Sequence, residues 1–193
     1  MITKLINDSK GCREISLEAL ELKDRTLTVF GQITNEMAND FIRKMRCLVK
    51  ESDEPITVLI NSQGGEVQAG LSMYDAIVGA GVTVNTVCTG MAFSMGAVLM
   101  VVGNKRLMLP HSKYMLHEPL AMGEQVASAS TISERAKSIL EVKELLNQII
   151  AKYAKKTLKE INKVTSKDTY FTAEEAVEFG LADNVVTFKE VFS

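Results

Sequence analysis

The chain has 193 residues, 46 % hydrophobic and 24 % charged, an ordinary globular mix long enough to bury about 70 % of its unfolded surface within one domain. Twenty-two basic and 24 acidic side chains leave a net charge of −2, so the basic excess of a nucleic-acid-binding surface is missing. Three cysteines without Cys-x-x-Cys spacing, two histidines and no apolar run near the ~20 residues of a membrane span argue against a disulfide framework, a multi-histidine metal centre and a transmembrane segment. Residues 1–8 lack the apolar stretch of a signal peptide, and a soluble protein of a reducing, cytoplasmic compartment is the expectation.

Residues 1–25 are polar and weakly patterned, and a strand or arm is expected there. Residues 26–30 are rich in β-formers and end at Gly31. Met37, Phe41, Met45 and Leu48 recur at helical spacing within residues 35–50. After Pro55, residues 56–60 form a short apolar strand broken by Gly64-Gly65, and residues 67–78 read as a helix ended by Gly79 and Gly81. Residues 82–88 predict a second buried strand, 94–102 an apolar helix ended by Gly103, and 106–109 and 114–117 two further strands. This alternation predicts an α/β fold of right-handed βαβ units.

Beyond Gly123 the pattern changes. Residues 126–153 contain neither Gly nor Pro, which predicts a helix of roughly 40 Å at 1.5 Å per residue. Ile132, Ala136, Ile139, Leu146, Ile149 and Tyr153 form one apolar stripe, and Leu140, Val142, Leu145 and Ile150 widen it. A helix apolar on more than one side needs cover on more than one side. Either it protrudes and packs against another subunit, or it is a central helix buried in its own domain. Two shorter helices follow, at 158–164 and 173–179, the second ended by Gly180.

Four segments can carry chemistry. Asn61-Ser62-Gln63-Gly64-Gly65 lies between a strand and a helix, where glycine lets the backbone approach a ligand and free N–H groups favour negative charge. A plain structural turn is the competing reading, and neither a dinucleotide fingerprint nor a P-loop is present. Ser94, at the start of the apolar helix, suits either a helix N-cap, the commonest role for such a serine, or a nucleophile whose oxyanion meets the same N–H groups. His117 closes an apolar strand before Pro119 and is a better candidate base than His111, which follows Pro110 in a turn. Thr172 and Glu175 predict a capping box, which leaves nearby Asp168 able to orient a histidine.

In this order, the segments resemble the proteolytic subunit of the Clp protease, the ClpP family of serine peptidases. The likeness spans about residues 23–186. It rests on Asn61-Ser62-x-Gly64-Gly65, residues 69–75 (AGLSMYD), Ser94-Met95-Gly96-Ala97, Leu109-Pro110-x-Ser112, Met115-x-His117-x-Pro119, Asp168-x-Tyr170 and residues 173–183. The resemblance implies a crotonase-type spiral of ββα repeats in one domain over residues 1–193. The head would be about 1–120 and 155–193, with a protruding handle at about 121–154. It implies Ser94 as nucleophile, His117 as general base and then acid, Asp168 as orienter, and an oxyanion hole from the Gly65 and Met95 backbone N–H groups. It also implies unfolded polypeptide substrates, two stacked heptameric rings, a partner AAA+ unfoldase that uses the ATP, and no cofactor, metal, nucleic acid or membrane for the chain itself. Gln63, Phe93, Glu118 and Leu59 depart from the family pattern, as does the glycine-poor segment 120–123. The alternatives are a structural subunit of a mixed ring with little catalysis, and a crotonase-type acyl-CoA enzyme.

Overall fold

A computed structural model describes residues 2–8, 11–120 and 128–192. The chain begins with an antiparallel pair, β1 (Thr3–Asp8) and β2 (Gly11–Ser16), which forms its own two-stranded sheet. Helix α1 (Leu17–Lys23) follows, capped by the Ser16 hydroxyl. The weakly patterned start is therefore a hairpin and a short helix. No residue of α1 is buried, so the helix leaves no buried apolar stripe in the sequence.

The main sheet has seven strands. Its path runs β3 (Thr26–Ile33), β4 (Ile56–Gly65), β5 (Val84–Phe93), β6 (Arg106–Met108) and β9 (Asn184–Val185) in parallel, and a second branch adds β7 (Lys113–Leu116) and β8 (Thr169–Thr172). Helices α2 (Asn35–Glu51) and α3 (Val67–Val78) are the crossovers between the first three strands. Helix α4 (Met95–Val101) is buried at every position, as its uninterrupted apolar sequence requires. It lies against the sheet with Leu27, Val58, Ile60 and Val84 in a single core.

Two strands outrun their predicted ends. β4 continues through Gly64-Gly65, where a break was expected, and pairs Gln32 with Gly64 and Ile33 with Gly65. A Cβ at Gly65 would lie 2.1 Å from the Ile33 carbonyl oxygen, so only glycine lets the two backbones run this close. β5 starts at Val84 and continues past Cys88 to Phe93. Its first half pairs with β6 and its second half with β7, so the sheet forks along this strand. The register of β4 on β5 slips between Ile60 and Ser62. Asn61 Oδ1 accepts from the Met91 N–H at 3.1 Å there and occupies a backbone donor that the slip would leave unpaired.

The long helix α5 spans Ala129–Ala154; the predicted start at 126–127 lies outside the described residues. Only its C-terminal part is buried in the chain's own domain. Leu146, Ile149, Ile150 and Ala154 are buried against the chain's own core, whereas Ile132, Leu140 and Leu145 are exposed. Buried Asn147 donates to Asn162 Oδ1 (2.7 Å) and Thr165 Oγ1 (3.0 Å), which fixes α5 on α6 (Leu158–Thr165). Helix α7 (Ala173–Phe179) opens with the predicted Thr172–Glu175 capping box, and α8 (Phe188–Val191) closes the described chain. No helix among the described residues is long and apolar enough to cross a membrane.

Arg106 clamps the base of α5 to the sheet and to α7. Its guanidinium donates to the carbonyls of Tyr153 (3.2 Å) and Gly180 (2.8 Å) and pairs with Asp183 at 2.5 Å. Burial alone would raise the Asp183 carboxyl, but hydrogen bonds from the Arg106 side chain and backbone N–H outweigh it and hold the group below its ordinary value. A depressed carboxylate stabilises the fold above its unfolded pKa, and that contribution fades as pH falls through the folded value. Asp183→Asn should therefore lower the thermal midpoint at pH 7, and the deficit should shrink below about pH 4. Thermal scans at pH 7, 4 and 3 check this; a deficit equal at all three would contradict it.

Candidate active site

β5 delivers Ser94 into a tight elbow with φ 54° and ψ −121°, a left-handed-side conformation that costs a non-glycine residue about 1–3 kcal/mol. Hydrogen bonds on both sides hold it. The Ser94 N–H donates to the Met115 carbonyl of β7 (3.1 Å), and the Ser94 carbonyl accepts from Ala97 (3.0 Å) and Val98 (3.2 Å) of α4. Ser94 thus occupies the N-cap position, but its side chain caps nothing. Its Oγ lies instead 2.8 Å from His117 Nε2. Side-chain capping is not what the serine does here: its hydroxyl meets the imidazole and makes no capping bond.

Gly64 lies beneath the elbow. A Cβ there would fall 2.6 Å from Ser94 Cβ and 3.0 Å from the Met95 nitrogen, and its φ of 93° also favours glycine. Fully buried Ser62 braces the turn, accepting from the Gly64 N–H (3.0 Å) and donating to the Gly31 carbonyl (2.6 Å). Gly64 is therefore a close-packing element against the serine, and Gly65 one against Ile33, rather than parts of a free turn.

His117 directly follows β7. The antiparallel register pairs Leu116 with Thr169, so its next step sets His117 opposite Asp168. Nδ1 lies 3.8 Å from Asp168 Oδ1, beyond hydrogen-bond range, and the carboxylate side chain is 65 % exposed. The Ser–His contact is made and the His–Asp contact is open. Buried Tyr114 donates from its hydroxyl to the Ala97 carbonyl (2.5 Å), tying β7 to the helix that Ser94 starts; complete burial pushes its phenol far above the ordinary range. Phe93 packs edge-on against Tyr170 at 5.6 Å between centroids, so it joins β5 to β8 beside Asp168. Glu118 pairs with Lys143 of α5 at 2.5 Å, which neutralises the added carboxylate next to the histidine.

Ser94, His117, Gly65 and Met95 line one cleft of about 770 Å³. Met95 and Gly96 open α4, so their N–H groups have no intrahelical acceptor. Met115, Leu146 and Ile150 supply an apolar wall, and Gln32, Gln63, Glu66 and Gln68 a polar rim. Most of this lining was missed in the sequence. Leu146 and Ile150 stood out only as members of the long helical stripe, and the rim residues fit no chemical motif. Chemically, an imidazole can take a proton from the hydroxyl, and backbone amides nearby can meet the negative charge that attack on a carbonyl creates.

The fold and this cleft define an α/β protein with a serine hydroxyl and an imidazole in contact at an open cleft. A family model described as Clp protease matches residues 9–189. The chain belongs to the Clp protease family, a family of peptidases.

Gly64→Ala should destabilise the protein by about 1–3 kcal/mol, the usual cost of overpacking, because the new methyl would press on the Ser94 elbow. Urea unfolding of the variant checks this; an unchanged midpoint would show that the elbow can move away.

Proposed function

We propose that this chain is a serine endopeptidase that cleaves unfolded polypeptides as the proteolytic subunit of an ATP-dependent Clp protease. The observation that carries this reading is the 2.8 Å contact between Ser94 Oγ and His117 Nε2 at an elbow in the cleft. Ser94 Oγ attacks the scissile carbonyl while His117 takes its proton. The oxyanion forms against the Gly65 and Met95 N–H groups. The imidazolium then protonates the leaving amine, and the acyl-enzyme forms. Water, deprotonated by the same imidazole, releases the acyl group and restores the serine. Asp168 acts on His117 electrostatically across the open 3.8 Å gap and orients it once the gap closes. The chain itself uses no cofactor or metal, and ATP is spent by a partner AAA+ unfoldase.

The proposed assembly is two stacked heptameric rings. Exposed Ile132 and Leu140 support it, since they lie on one side of the outer half of α5 and are uncovered.

Hydrolysis of a short fluorogenic peptide tests the chemistry. Ser94→Ala and His117→Ala should each lower kcat at least about a thousandfold, and Asp168→Asn by less, because its contact is open. Equal rates for wild type and Ser94→Ala would overturn the assignment.

A further inference from the structure

Glu66 follows Gly65 directly and is the single acidic side chain on the cleft lining among the described residues. His117 is the other titratable group there, and the remaining rim residues Gln32, Gln63 and Gln68 are neutral amides. The Glu66 carboxylate is exposed and has no cationic partner among the described residues. It accepts one hydrogen bond from Asn35 Nδ2, a neutral donor, which steadies one oxygen and leaves the charge uncompensated. Glu66 also sits at the N-cap position of α3 without a side-chain capping bond, so the helix amides do not consume its carboxylate. Among the described residues, Glu118 is paired with Lys143 and Asp168 faces His117.

Position along a substrate follows from chain geometry. The attacked carbonyl sits at the Gly65 amide in the proposed mechanism, and the Glu66 Cα lies one ~3.8 Å step beyond the Gly65 Cα. An extended peptide rises about 3.3 Å per residue. The carboxylate therefore reaches side chains within a residue or two of the scissile bond.

We infer that Glu66 is a specificity-determining residue that favours substrates with a lysine or arginine close to the cleaved bond and disfavours acidic ones. This inference rests on the peptidase reading and deepens it. A partly solvated ion pair contributes modestly, so the expected preference is roughly two- to fivefold in kcat/KM.

The test uses matched quenched-fluorescence peptides, identical except for Lys, Glu or Gln at each position within three residues of the scissile bond. At one or two adjacent positions the wild type should favour Lys over Glu by that factor, and the ratio should shrink in about 0.5 M salt. The ratio should approach one in Glu66→Gln and invert in Glu66→Lys. Each ratio is internal to one variant, so a general loss of activity does not move it, and Glu66→Gln alone decides the matter if Glu66→Lys fails to fold. A Lys-to-Glu ratio unchanged in Glu66→Gln, with the Gln peptide still cleaved by wild type, would overturn the inference and leave the peptidase reading standing. Failure of wild type to cleave any of the peptides would overturn both.

Discussion

The hydroxyl–imidazole contact between Ser94 and His117 is the constraint around which the rest of the site is built. It brings together the ends of two strands that are neighbours only because β5 forks. The upstream half of β5 pairs with β6, and the downstream half turns to β7, whose extension carries His117. The contact also requires a serine to hold a positive φ. That conformation persists because Gly64 vacates the space below it, Ser62 fixes Gly64, and the Met115 carbonyl and the first turn of α4 hold the serine backbone. Local strain is thus over-determined by packing and hydrogen bonds around it.

Helix α5 links this site to the outside of the molecule. Its inner half supplies Leu146 and Ile150 to the cleft wall, and its outer half carries the exposed Ile132 and Leu140. The Glu118–Lys143 pair joins the residue after His117 to the middle of the same helix. A displacement of α5 would therefore move the cleft wall and pull on the histidine segment together. The Arg106 clamp and the Asn147–Asn162–Thr165 group hold the helix base in register against such movement.

Much of this was legible in the sequence, for physical reasons specific to each element. Helix α2 followed from its apolar spacing, α3 from the glycines that end it, and α7 from its capping box and Gly180. The four chemical segments were found by residue type and order, and three of them meet in one cleft. What escaped was set by tertiary contact. Gly64-Gly65 reads as a strand breaker until Ile33 and Ser94 are seen packed against it. The two-residue β9 is too short for periodicity. Glu66 carries no sequence signal of its own, and its place on the cleft depends on how the strand ahead of it continues through the glycines. The open His117–Asp168 distance has no sequence signature, since His117 follows β7 and Asp168 precedes β8, each one residue outside the paired register.

The most direct test of the central claim is mass spectrometry of the protein after treatment with a fluorophosphonate, in wild type and in His117→Ala. The account predicts a single covalent adduct on Ser94 in the wild type and its near loss in His117→Ala, because the hydroxyl is reactive only while the imidazole accepts its proton. An adduct on another serine, or equal labelling of Ser94 in both proteins, would contradict it.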